Sequence, residues 1–273
     1  MTRMLPVPSV LKTCFALMLA APATAETFDC VITPAVTIDV GSPVSGLLDK
    51  VLVDQGDTVE SGQVIARLHS EVEAKAVELL QLQARSTAGI EAQESRLALA
   101  QKQLDRARDL MERRVGTLER LEAAEAEVEV ITRERAMAQL QHEVTGLELE
   151  RAQAQLEQRV IRSPLDGIVV ARHLFDGEFL GTENSVVSLA QVDPLHVEAF
   201  LPVTAHPMLS PGMTLTVTPE APLSGTFSAQ VDVIDRVFDA ASGTFGIRLT
   251  LPNPGNAIPA GHRCEVEVPL PGQ

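Results

Sequence analysis

Along residues 71–160 apolar side chains recur at alternating steps of three and four. On both sides of this stretch, short β-branched runs are bounded by Gly and Pro. The first periodicity is that of a helix packed on a partner, the second that of half-buried strands. Residues 71–160 contain no proline and three glycines, Gly89, Gly116 and Gly146, in a background of Ala, Glu, Gln, Leu and Arg, which favours helix throughout. In the first half the series Ala76, Leu79, Gln83, Ser86, Ile90, Gln93, Leu97, Ala100, Leu104, Ala107 and Met111 predicts a heptad seam diluted by polar residues. In the second half Leu118, Leu121, Val128, Ile131, Leu140, Val144, Leu147 and Leu156 predict another, with a phase slip near its middle. Ser70 and Glu73 have the spacing of a capping box, and Ser163-Pro164 marks the far end. Gly116 reads as a left-handed helix stop and Thr117 as the next N-cap. Two helices of about 40 residues each then form an antiparallel hairpin roughly 60 Å long. One continuous helix is the alternative.

The flanks of the hairpin repeat one another. "PVSGLLDKVLVDQGDTV" begins at Pro43 and "PLDGIVVARHLFDGEFL" at Pro164. Each has Gly three residues after its Pro (Gly46, Gly167) and a second Gly ten further on (Gly56, Gly177), with Asp57 or Asp176 beside it. The "QGD" and "DGE" segments read as hairpin turns between strands. Neither half can bury its apolar face alone, so the base of the helical hairpin must bring the two together. After residue 191, "DPLHVEAFLP", "PGMTLTV", "GTFSAQVDVID", "SGTFGIRLTLPNP" and "PAGHRCEVEV" read as the five or six short strands of a small β-barrel. The fold class is α+β multidomain.

Composition changes this picture in two respects. Arg3 and Lys12 precede the apolar "FALMLAA", and "ATA" at Ala23 to Ala25 supplies a signal-peptidase pattern, so a signal peptide cleaved after Ala25 is expected. An uncleaved anchor is the alternative, and no later segment has the length and apolarity of a membrane span. The formal charge of −15 excludes a basic nucleic-acid footprint. Beyond the leader two cysteines remain, Cys30 and Cys264, each on the apolar face of an alternating strand. An oxidising compartment permits a bridge between them, and two separate buried thiols are the alternative. Six scattered histidines, unclustered methionines and the lack of a nucleophile elbow or phosphate loop point to no enzyme, no metal and no cofactor. The hairpin's 18 carboxylates against 13 bases read as a solvated surface.

The split repeat around a helical hairpin, followed by "ASGTFGIRLTLPNPGNAIPAG", resembles the periplasmic adaptors, or membrane fusion proteins, of the HlyD/AcrA-like family. The resemblance implies a lipoyl-like β-sandwich interrupted by the coiled-coil hairpin and followed by a β-barrel. It divides the chain into a signal peptide (1–25), an N-terminal strand joining the barrel (26–40), a first lipoyl half (41–69), the hairpin (70–162), a second lipoyl half (163–190), the barrel (191–268) and a tail (269–273). Since only "PLPGQ" follows the barrel, no further membrane-proximal domain is expected. The family's tip motif is an Arg, a Leu four residues on and a Ser seven beyond that. Arg106, Leu110 and Thr117 match it, with Thr for Ser. The implied partners are an inner-membrane resistance-nodulation-division (RND) transporter, a TolC-like outer-membrane channel at the hairpin tip, and further copies of the chain in a trimer or hexamer. An adaptor for an ABC-type or type I secretion exporter is the alternative. A biotinyl/lipoyl carrier is a remote one: Lys50 falls in a strand, and Lys75 and Lys102 on the helix, none at an exposed hairpin tip.

Overall fold

The computed structural model describes residues 24–270, so the leader read over residues 1–25 lies outside the described residues up to residue 23. The chain runs β1 (Thr24–Gly41), β2 (Gly46–Val51), β3 (Thr58–Val59), β4 (Val64–Leu68), then α1 (Glu71–Arg85), α2 (Ala88–Glu112) and α3 (Leu118–Glu157). It continues with β5 (Val160–Arg162), β6 (Gly167–Arg172), β7 (Phe179–Leu180) and β8 (Ser185–Pro202). It closes with β9 (Thr214–Pro219), β10 (Phe227–Ile234), β11 (Thr244–Leu251) and β12 (His262–Leu270). Two compact units result, one of residues 36–191 and one of the remaining described residues. No helix among the described residues is long and apolar enough to cross a membrane.

In the first unit the two sequence repeats exchange strands. Strand β2 of the first repeat pairs with β7 of the second, and β3 with β6. The turn glycines make the exchange reciprocal. Gly56 donates its N–H to Val169 O at 2.9 Å, and Gly177 donates to Leu48 O at 2.8 Å. In return Leu48 N–H bonds Glu178 O and Val169 N–H bonds Asp57 O, each at 2.9 Å. Both turns need glycine, with φ of 92° at Gly56 and 82° at Gly177. Carboxylates close each turn at equivalent places: Asp57 accepts from Asp54 N–H at 2.8 Å and Glu178 from Phe175 N–H at 2.7 Å. Equivalent positions of the two repeats share one core: Leu48 and Val169, Val59 and Leu180, and Ile65 and Val186 are all buried in it.

The helical hairpin enters between β4 and β5, the connection between the two halves. Its first arm breaks at Ser86-Thr87, where the Ser86 backbone is extended and Thr87 opens α2. The break resets the helical phase. Before it, Glu73, Val77, Leu80, Gln81 and Ala84 are the covered positions, while Ala76, Leu79, Gln83 and Ser86, expected in the seam, are exposed. From Ile90 onward the covered residues are the expected ones, centred on buried Leu97, Ala100 and Leu104. On α3 no phase slip occurs. Leu121, Ala124, Val128, Ile131, Arg135, Ala138, His142, Thr145, Leu149, Ala152 and Leu156 form one unbroken heptad series of covered positions. Expected seam residues Leu118, Leu140 and Leu147 are instead exposed, and Val144 sits at the margin. The capping box also fails to form. Ser70 caps α1 without a side-chain hydrogen bond, and the Glu73 carboxylate is engaged by Arg159 at 2.6 Å.

In the second unit the strand order is β1-β12-β9-β10-β11-β8, and β1 also pairs with β8, which closes a six-stranded barrel. Alternation along β11 buries Phe245, Ile247, Leu249 and Leu251 and leaves Thr244, Arg248 and Thr250 on the outer side. Cys30 on β1 stands directly opposite Cys264 on β12, and their sulfurs are bonded at 2.05 Å, with 4.8 Å between Cα atoms. Asn253 is fully buried after β11. It donates to Val192 O and Ile258 O and accepts from Ile258 N–H, all at 2.9 Å, so every polar atom of its amide is used.

Candidate partner-binding site at the hairpin tip

The reversal between α2 and α3 is built around one carbonyl. Leu110 O accepts from Val115 N–H and from Gly116 N–H, both at 3.0 Å, after Arg113 N–H and Arg114 N–H close the last turn on Asp109 O and Met111 O. The left-handed residue of the turn is Arg114, with φ of 62°, and not Gly116 as the sequence indicates. Glycine is needed at 116 for another reason. A Cβ there would stand 2.9 Å from Met111 N and 3.0 Å from Leu110 C, so the returning chain touches the backbone of the helix it has left. Thr117 is extended and opens α3 through its carbonyl, which accepts from Leu121 N–H at 3.3 Å. Its hydroxyl makes no cap hydrogen bond and remains on the surface.

This turn brings Arg106, Leu110 and Thr117 into one open groove of about 430 Å³. Ala107 of α2 and Ala124 of α3 lie at its base, small enough to let the helices approach. A fourth residue, Arg120, joins them from the first turn of α3. Its signal in the sequence is its place three residues after the N-cap Thr117, which sets both on the same side of α3. Neither Arg106 nor Arg120 forms an ion pair among the described residues, whereas neighbouring Arg108 is committed to Glu125 across the hairpin at 3.3 Å.

The charge at the tip runs against that of the whole chain. Arg106, Arg108, Arg113, Arg114 and Arg120 outnumber Asp109, Glu112 and Glu119, although the protein carries a formal charge of −15. An exposed leucine flanked by two unpaired guanidiniums and a free hydroxyl suits a partner surface rich in carboxylate or carbonyl oxygens around an apolar contact. It offers no nucleophile-base pair. Among the described residues no three of His, Cys, Asp and Glu gather to hold a metal. Of the lysines, Lys50 lies within β2, and Lys75 and Lys102 lie on α1 and α2.

Residues 36–191 match the family described as CzcB-like, barrel-sandwich hybrid domain. An uncharacterized protein of Haemophilus influenzae is 24% identical over 228 residues, covering 83% of this chain, and the chain spans 53% of that protein's length. Among solved structures, MacA from Actinobacillus actinomycetemcomitans superposes with a TM-score of 0.74 at 19% identity, over 90% of this chain and 79% of that one. The membrane fusion protein Spr0693 from Streptococcus pneumoniae gives 0.57 at 16% identity, over 90% of this chain and all of that one. These similarities establish a shared fold.

Proposed function

Because the chain belongs to the CzcB-like barrel-sandwich hybrid family and has the architecture of a membrane fusion protein, we propose that it is a periplasmic adaptor. It links an inner-membrane RND transporter to a TolC-like outer-membrane channel, sealing and coupling the path without catalysing a reaction. The leader exports it, and it is held at the inner membrane through its transporter. Several copies, a trimer or a hexamer, stand in a ring in which the barrels meet the transporter and the hairpin tips meet the channel.

One observation carries the reading: the reversal at residues 113–117 gathers Arg106, Leu110 and Thr117 on one exposed groove at the far end of the hairpin. A tip that served only to reverse the chain would not need an exposed leucine between two unpaired arginines. The test is a cysteine crosslink from Val115→Cys, beside the groove, to a TolC-like channel in cell envelopes. An adduct is expected, and Arg106→Glu diminishes it. Failure to form an adduct under conditions where another adaptor does so overturns the proposal. The class of transporter is tested by co-purification with an RND permease against an ABC exporter, each co-expressed with the full chain.

A further inference from the structure

Helix α3 begins with a residue that its own N-terminus disfavours. Thr117 is the N-cap, so Arg120 stands at the third helical position, where the carboxylate of a capping box would reach back to the cap. The first turn of a helix carries the positive end of the backbone dipole, and a cation there opposes it. The other two helices start differently. Helix α1 has Glu71 and Glu73 in its first turn. On α2 the Thr87 hydroxyl donates to Glu91 Oε1 at 2.6 Å. Helix α3 keeps one acid, Glu119, in that turn and sets a guanidinium beside it.

No neighbour in the chain compensates Arg120. The positions three and four residues away, where an intrahelical partner would stand, are Gly116, Thr117, Ala123 and Ala124. Further along the same helix, Arg133 does reach a partner of this kind, Glu129, at 2.7 Å. The groove that Arg120 borders is lined also by Arg106 and by no carboxylate, in a protein with a formal charge of −15. Ala107 and Ala124 leave about 430 Å³ open beside the two guanidiniums.

A residue that weakens its own helix and has no partner within the chain is explained by a partner outside it. Guanidinium forks on an open groove fit a carboxylate, which each can hold by two parallel hydrogen bonds. We propose that Arg120 is a specificity-determining residue of the tip. With Arg106 it receives a carboxylate presented by the helical ends of the outer-membrane channel. A channel without an acid at that place is refused, because docking would bury two unpaired cations. The inference rests on the tip docking proposed above and adds the chemistry that the docked surface must carry.

The experiment uses the full chain carrying Val115→Cys, crosslinked to a TolC-like channel in cell envelopes. Adding Arg120→Glu should lower the adduct about tenfold. The same substitution should raise the thermal midpoint of the helical circular dichroism by about 2 °C, since a carboxylate suits the helix start. Arg120→Lys keeps the charge without the fork and should keep part of the adduct. Carboxylates at the channel's periplasmic end are then replaced by lysine one at a time. One replacement should abolish the adduct with Arg120 and restore it with Arg120→Glu. An Arg120→Glu chain that melts earlier than its parent would show that the arginine serves the fold, and would overturn the proposal. So would an adduct that Arg120→Glu leaves unchanged, or a set of channel replacements of which none restores it. In these cases the parent adduct has formed and the tip reading stands. Absence of the parent adduct removes the tip reading itself, and this inference with it.

Discussion

Arg159 Nη2 lies 2.6 Å from the Glu73 carboxylate, while its Nη1 donates to Ser45 O at 3.1 Å. One side chain thus joins the start of α1, the segment just after α3 and the entry to β2, with both ionic partners about three-quarters buried. The backbone makes room for it, since a Cβ on Gly46 would stand 2.9 Å from Nη1. Arg159→Ala leaves the Glu73 carboxylate half-buried and unpaired. A loss of about 2 kcal/mol is expected in urea unfolding, more than for exposed pairs such as Lys75–Glu78. Arg159→Lys, which cannot span both acceptors in the same plane, should recover only part of this loss.

Gln93 gives a prediction of opposite sign. Its Oε1 is buried with no hydrogen-bond partner, at a seam position one turn from the buried cluster of Leu97, Ala100 and Ile131. Replacing it by leucine removes a desolvated acceptor and extends the apolar seam. Gln93→Leu should raise the hairpin's stability by about 1–2 kcal/mol, read as a higher thermal midpoint by circular dichroism at 222 nm. A lowered midpoint would mean that the amide is held by a partner after all.

What the sequence reveals follows from which signals are redundant. The split repeat is legible because Gly46 and Gly167, and Gly56 and Gly177, recur at one constant offset, and the structure returns that offset as reciprocal hydrogen bonds, with Glu178 rather than Asp176 in the place of Asp57. The seam of α3 is not legible, because two apolar series compete on one helix. Hydrophobicity favours Leu140, Val144 and Leu147, yet the covered positions are Arg135, His142 and Thr145. Long stems can cover a seam as well as short apolar ones do, and the richer series lies on the outside. The break at Ser86-Thr87 carries neither Gly nor Pro. Its mark is local, the Thr87 hydroxyl donating to Glu91 Oε1 at 2.6 Å. At the tip, the motif spacing locates Arg106, Leu110 and Thr117, but Arg120 joins them only once the turn is formed.

The bond between Cys30 and Cys264 cross-links the barrel's first and last strands in sequence, already adjacent through the β1–β12 register. Two cysteines separated by 234 residues constrain a long unfolded loop, so removing the link should cost the barrel about 2–4 kcal/mol. The check is twofold. Mass spectrometry of exported protein under non-reducing conditions should find both thiols blocked. A Cys30→Ser, Cys264→Ser variant should then melt earlier in its β-sheet signal while the helical signal holds.

The two specialised backbone positions of the tip should respond differently to substitution. Arg114 occupies the left-handed region at a cost of about 1–2 kcal/mol for a residue with a Cβ. Arg114→Gly relieves that cost, less the greater entropy that glycine gains in the unfolded chain, so stability should hold or rise by up to about 1 kcal/mol. Gly116→Ala has no such relief. Its Cβ meets Met111 N at 2.9 Å and Leu110 C at 3.0 Å, both backbone atoms, and the turn must open to admit it. Opening moves Thr117 and Arg120 away from Leu110 and Arg106, because the first pair rides on α3 and the second on α2. Gly116→Ala should therefore leave the overall melting profile nearly unchanged and still reduce the Val115→Cys crosslink to the channel severalfold. If Arg114→Gly weakens the crosslink while Gly116→Ala leaves it intact, the arginine contributes through its charge, and the groove's shape is not what the channel reads.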